Sequence, residues 1–95
     1  MNKIFNSEVR VKILATLYGL EYCEFNYLRD KLNTSEGNLW AHLKKLEKVE
    51  YISIKKRPVN NKIRTMIYIT SKGRVEFKKF ICEILELSNT IVNLH

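Results

Sequence analysis

An α+β fold, mostly helical, follows from the order in which two hydrophobic periods succeed each other along the 95 residues. Apolar residues recur at helical spacing from Val9 to about Val49, at strand spacing from Tyr51 to Ile69, and at helical spacing again to Leu94. Only three glycines and one proline punctuate the chain, and there is no repeat, low-complexity tract or linker. A single domain over residues 1–95 is therefore expected.

Each element carries its own signal. Ser7 is placed to cap a first helix reaching about Gly19, with Val9, Ile13, Leu17 and Leu20 on one face. Gly19 and Glu21 weaken its end, and Cys23-Glu24-Phe25 reads as a short extended piece. Asn26 is placed to cap a second helix, Tyr27 to Leu32, and Asn33-Thr34-Ser35 makes a turn. A hydroxyl of that turn can cap a third helix over about 36–49, whose core stripe is Leu39, Leu43 and Leu46. Its opposite side carries Gly37, Ala41, Lys44 and Lys48, with Asn38 and Lys45 on one flank and Trp40 on the other. A face that is small near its start and cationic further along suits the DNA major groove, which admits one α-helix.

Tyr51–Lys55 and Ile63–Ile69 are rich in β-branched and aromatic residues. The Pro and Asn pair of the intervening segment, residues 56–62, mark a turn, so a β-hairpin with a cationic tip is expected over about 51–69. Thr70 or Ser71 can then cap a last helix over about 71–94. There Gly73, Phe77, Phe80, Ile84, Leu87, Ile91 and Leu94 alternate spacings of four and three, and Ile81, Leu85 and Val92 widen the stripe. So long an apolar face exceeds what a small domain covers alone. One part is expected to dock on the chain's own core and the rest on a partner helix, giving a homodimer joined through Phe77, Phe80, Ile84, Leu87, Ile91 and Leu94.

Charge is segregated. The chain has 17 basic and 10 acidic residues, a formal net charge of +7. Between Tyr51 and Val75 there is no Asp or Glu, while Lys55, Lys56, Arg57, Lys62, Arg64, Lys72 and Arg74 fall there. The other basic and acidic residues cancel, so one segment holds the whole excess. Such a face attracts polyanions.

Other function classes find little support. No apolar run approaches the roughly 20 residues of a membrane span, and Met1 to Glu8 contains no signal-peptide core. The chain is expected in the cytoplasm. Cys23 and Cys82 lack metal-ligand spacing, and Cys82 reads as a buried thiol at the edge of the last apolar stripe. His42 flanks the leucine stripe and reads as a half-buried packing residue, not a general base. No nucleophile–base pair and no glycine-rich phosphate loop is present, so neither an enzyme nor a cofactor or metal is expected.

Helix, helix, turn, helix, basic hairpin, helix is the order of a winged helix-turn-helix. Gly37-Asn38-Leu39-Trp40-Ala41-His42-Leu43-Lys44-Lys45-Leu46-Glu47 resembles the third helix of small one-domain transcriptional regulators of archaea and bacteria, related to the ArsR and MarR groups. Thr65 to Gly73 is similar to their junction between wing and last helix, and the likeness spans roughly Ser7 to Leu85. It implies a homodimeric, sequence-specific binder of double-stranded DNA. The third helix would enter the major groove with Ser35, Gly37, Asn38, Trp40, Ala41, Lys44, Lys45 and Lys48, and the wing would bring Lys55, Lys56, Arg57, Lys62 and Arg64 to the backbone or minor groove. The alternative is a winged helix used for protein interaction or RNA.

Two departures bear on the site. Trp40 stands where the family usually has Ser, and would either touch DNA or, the preferred reading, pack against the wing or second helix. Glu50 replaces a Gly before Tyr51, so that turn is made without a residue suited to positive φ. The cysteine pairs of the metal-sensing regulators are missing, which argues against a thiolate metal sensor.

Overall fold

The computed structural model describes residues 2–93. A 3-10 turn, Lys3–Asn6, precedes α1 (Glu8–Leu20), β1 (Tyr22–Glu24), α2 (Phe25–Leu32), α3 (Glu36–Lys48), β2 (Ile52–Val59), β3 (Lys62–Ile69) and α4 (Ser71–Asn93). The extended piece after α1 is a true strand. It pairs antiparallel with β3, giving a three-stranded sheet in the order β1-β3-β2 where a two-stranded hairpin was expected.

The helices begin and end for local reasons. Ser7 accepts a hydrogen bond from the Arg10 amide and caps α1 as expected. Glu21 closes that helix in the left-handed region (φ 74°), its amide bonded to the Leu17 carbonyl. The buried stripe of α1 is Arg10, Ile13, Leu14 and Leu17, rotated from the expected one; Leu20 is 48% exposed. α2 starts at Phe25, one residue before the anticipated Asn26 cap. Glu24 occupies the cap position without capping, because its carboxylate reaches Arg64 instead, at 3.2 Å.

The hairpin is longer than its sequence suggests. β2 runs through Lys56, Arg57 and Pro58 to Val59, and Asn60 and Asn61 alone turn the chain, both at positive φ. Two successive left-handed residues make the tight turn whose twist matches that of paired strands, and asparagine tolerates them. Pro58 is accommodated because β2 is an edge strand.

α4 is fixed by its first turns. Thr70 Oγ1 accepts from the Gly73 amide and so caps the helix. Gly73 lies directly on the backbone after α3: a Cβ there would stand 2.2 Å from the Tyr51 carbonyl oxygen. Phe77 is buried, and Phe80 stacks on Phe5 with centroids 4.5 Å apart. The expected dimer seam therefore loses Phe77 to the chain's own core, and Phe80 is half-covered by the 3-10 turn. Leu94 lies outside the described residues.

Glycine positions test this packing. Gly73→Ala should destabilise the fold by about 2 kcal/mol or more in urea unfolding, since the obstructing atom is backbone. Gly19→Ala, with no atom within 4 Å of the new methyl, should be neutral or stabilising by up to about 1 kcal/mol.

Candidate nucleic-acid interface

α3 is anchored by Leu39, Leu43 and Leu46, all with no exposed surface. Truncating such a leucine costs about 2–5 kcal/mol, so the stripe fixes which face turns outward. Gly37, Asn38, Ala41, Lys44, Lys45 and Lys48 are all exposed on that face. Ser35 is exposed too, but its hydroxyl caps the helix by accepting from the Asn38 amide at 3.1 Å. The Asn38 side-chain amide donates to Thr34 Oγ1 at 2.8 Å, which holds the Asn38 carbonyl oxygen in place as a free acceptor. Of the two hydroxyls the sequence offered as a cap, Ser35 takes that place and Thr34 holds the Asn38 side chain instead.

Trp40 packs. It stacks on Phe25 of α2 with centroids 4.7 Å apart and planes at 24°, leaving it half-buried beside the outward face. Lys44 Nζ sits 5.7 Å from the Trp40 ring centroid and 3.4 Å from Glu47. The first of these is a cation–π contact, and the second is a weak exposed pair. Glu50 follows the far end of the helix and adopts φ 65° itself, so the turn lacking glycine is made by a strained left-handed glutamate. The helix end at Lys48 stands about 15 Å along from Asn38 at ~1.5 Å per residue, and Glu50 follows it, away from the small end of the outward face.

Strand register divides the wing cations. Ile52, Ile54, Lys56 and Pro58 pair with Ile69, Ile67, Thr65 and Ile63 on the face that covers the core. Lys55, Arg57, Arg64 and Lys62 fall on the opposite face. Arg57 and Arg64 are direct cross-strand partners, a like-charge pair that is unfavourable unless an anion intervenes. Glu24 supplies one carboxylate to Arg64, whereas Arg57 has no ion-pair partner among the described residues. Lys55 Nζ lies 5.7 Å from the Tyr68 ring, itself packed on Tyr22. Lys72 and Arg74 belong to α4: Arg74 donates to the Tyr18 carbonyl at 3.2 Å, and Lys72 lies over the Tyr51 ring.

A further pair lies under α3. Arg10 is 8% exposed; its Nε donates to the Ile4 carbonyl at 2.7 Å, and its Nη1 lies 3.1 Å from His42 Nδ1. Burial and then the Arg10 and Lys45 charges hold the His42 pKa below its usual value. Sequence reasoning placed His42 correctly but missed Arg10. The signal was present, since residues 10, 13, 14 and 17 share one helical face.

No group of three His, Cys, Asp or Glu side chains that could hold a metal forms among the described residues. Among them, no helix is long and apolar enough to cross a membrane. Cys23 is buried in β1, where desolvation pushes its pKa to about 11. Cys82 is exposed on α4, not buried as expected, because it lies on the side of the helix away from Phe77. A thiol reagent at pH 8 should modify one cysteine, Cys82, in the folded protein, with Cys23 reacting only in denaturant. Labelling followed by peptide mapping checks this.

Comparison with known proteins gives a consistent result. A family model described as "Winged helix DNA-binding domain" matches residues 9–88. The protein MJ0432 of Methanocaldococcus jannaschii is 62% identical over 89 residues, covering 94% of this chain and 97% of its own. The HTH-type transcriptional regulator YdgJ of Bacillus subtilis is 31% identical over 68 residues, 72% of this chain and 41% of YdgJ. Among solved structures, a transcriptional regulator homologue from Pyrococcus horikoshii OT3 superposes with a TM-score of 0.82 at 23% identity, covering 94% and 93% of the two chains. MepR, a transcription regulator of the Staphylococcus aureus multidrug efflux pump MepA, gives 0.82 at 19% identity, covering 98% of this chain and 68% of MepR.

Proposed function

We infer the function from the family to which the chain belongs, that of the winged helix DNA-binding domain. The chain is a transcriptional regulator that reads double-stranded DNA sequence-specifically as a cytoplasmic homodimer, each protomer one winged-helix domain. The observation that carries this reading is the outward face of α3, with Asn38 and Ala41 at its approachable end, beside a wing whose Lys55, Lys56, Arg57 and Lys62 have no carboxylate partner among the described residues.

Asn38 and Lys44 or Lys45 are the base-reading side chains: an asparagine amide suits adenine and a lysine suits guanine. Lys48 and the wing cations Lys55, Lys56, Arg57 and Lys62 meet phosphates, which supplies affinity but no sequence information. Beyond Phe80, α4 leaves Ile84, Leu87 and Ile91 between 40% and 59% exposed, an apolar face suited to the same face of a second copy. Two protomers joined there address half-sites about one DNA turn apart.

Fluorescence anisotropy on the duplex upstream of the protein's own gene, against a scrambled duplex, tests the reading. A preference of about a thousandfold is expected at physiological salt. Equal affinities would overturn sequence-specific reading at that site, and absence of binding would favour a protein-interaction role. Replacing Lys56 and Arg57 by Gln should weaken both duplexes alike and flatten the log–log salt dependence by up to about 0.9 for each phosphate no longer neutralised. An unchanged slope would remove the wing from the interface. Ile84→Glu with Ile91→Glu should turn a dimer into a folded monomer in sedimentation, since both side chains are exposed within the protomer.

A further inference from the structure

Arginine has only donors, so the 3.1 Å contact between Arg10 Nη1 and His42 Nδ1 requires an unprotonated Nδ1. His42 is then the neutral imidazole with its proton on Nε2. The same guanidinium bonds the Ile4 carbonyl, so one buried cation ties the 3-10 turn, α1 and the middle of α3 together. No carboxylate forms an ion pair with Arg10 among the described residues. The charges around the imidazole are Arg10 from α1 and Lys45 from α3 itself, both positive. Protonation of His42 would turn its acceptor into a donor facing a donor, and add a third cation to the group.

We propose that Arg10 and His42 are positioning residues for the DNA-reading helix, and that they hold α3 in its binding orientation only while His42 is neutral. The proposal rests on the DNA-binding function inferred above. His42 sits between the exposed Ala41 and the buried Leu43, so a shift forced at the imidazole moves Asn38, Ala41 and Lys45 relative to the wing. Acidification therefore weakens binding. This sign is diagnostic, because an added positive charge beside a polyanion otherwise strengthens binding.

The test is duplex affinity from pH 8 to pH 5 at constant ionic strength, in a His95→Gln background so that His42 is the one histidine that titrates. Near-ultraviolet circular dichroism at each pH confirms that the protein stays folded. Affinity is expected to fall on the order of tenfold below the ordinary histidine pKa of about 6.5. His42→Asn keeps an acceptor at the δ position that does not titrate, and should bind as the parent does at pH 8 with a flat profile. A parent profile that is flat, or that rises in acid, overturns the proposal whether or not the variant folds. The same acid-dependent loss in a folded His42→Asn protein overturns it too. Absence of duplex binding at pH 8 overturns the DNA-binding reading, and the proposal with it.

Discussion

The carbonyl of Tyr51 is the point on which three parts of the molecule turn. It accepts the Thr70 amide at 3.0 Å, and the Cα of Gly73 lies against it so closely that no side chain fits between. Thr70 Oγ1 meanwhile donates to the Glu50 carbonyl and accepts from the Gly73 amide. On the other side, the Tyr51 amide bonds the Leu46 carbonyl in the last turn of α3. The end of α3, the base of the wing and the start of α4 are thus hydrogen-bonded into one joint. α4 cannot shift there without carrying the end of α3 with it.

The joint explains the use of a small core. Around it, Phe5, Tyr51, Phe77 and Phe80 pack ring against ring, and the Asn2 side chain donates to the Tyr51 hydroxyl. A chain of this size cannot also enclose a 23-residue helix. Only its first turns find partners in the protomer, and from Ile81 onward every large apolar side chain described is at least 37% exposed. That outer stretch is the surface a second protomer covers in the proposed dimer. Its attachment at Gly73 is what would make the spacing of the two third helices in that proposed dimer a property of the fold.

How much of this was legible follows from which interactions are local. The α3 stripe, the Ser7 cap and the hairpin depend on residues a few positions apart, and patterning revealed them; for the last helix it left Thr70 and Ser71 as alternative caps, of which Thr70 is used. β1 was visible as an extended piece, but its pairing with β3 joins residues more than forty positions apart and leaves no local trace. The tight Asn60-Asn61 turn was blurred by Pro58, which an edge strand tolerates and a central one does not. The α1 face was misread because Arg10 is charged, so a helical count of apolar residues passes over it although it is buried. At the site, the exposed residues of α3 were legible from the leucine spacing. The packing of Trp40 on Phe25 and the hold of Glu24 on Arg64 depend on tertiary neighbours.

The segregated charge divides into separate tasks once the fold is known. Lys72 and Arg74 lie over tyrosine rings at the start of α4, as Lys55 does over Tyr68 on the wing, and Arg64 is met by Glu24. Lys55, Lys56, Arg57 and Lys62 are exposed on the wing and have no carboxylate partners among the described residues. Arg57 is in addition paired across the ladder with a second arginine. Holding four cations on one hairpin disfavours its folding at low ionic strength, by an amount salt relieves only in part. A polyanion relieves it at the points where the charges stand. The same repulsion that burdens the isolated wing therefore favours a bound phosphate backbone, and it acts on a strand whose base is fixed at Tyr51 beside the end of α3. In the proposed complex, affinity supplied by the wing and discrimination supplied by the helix are coupled through that shared backbone, not through contact between their side chains.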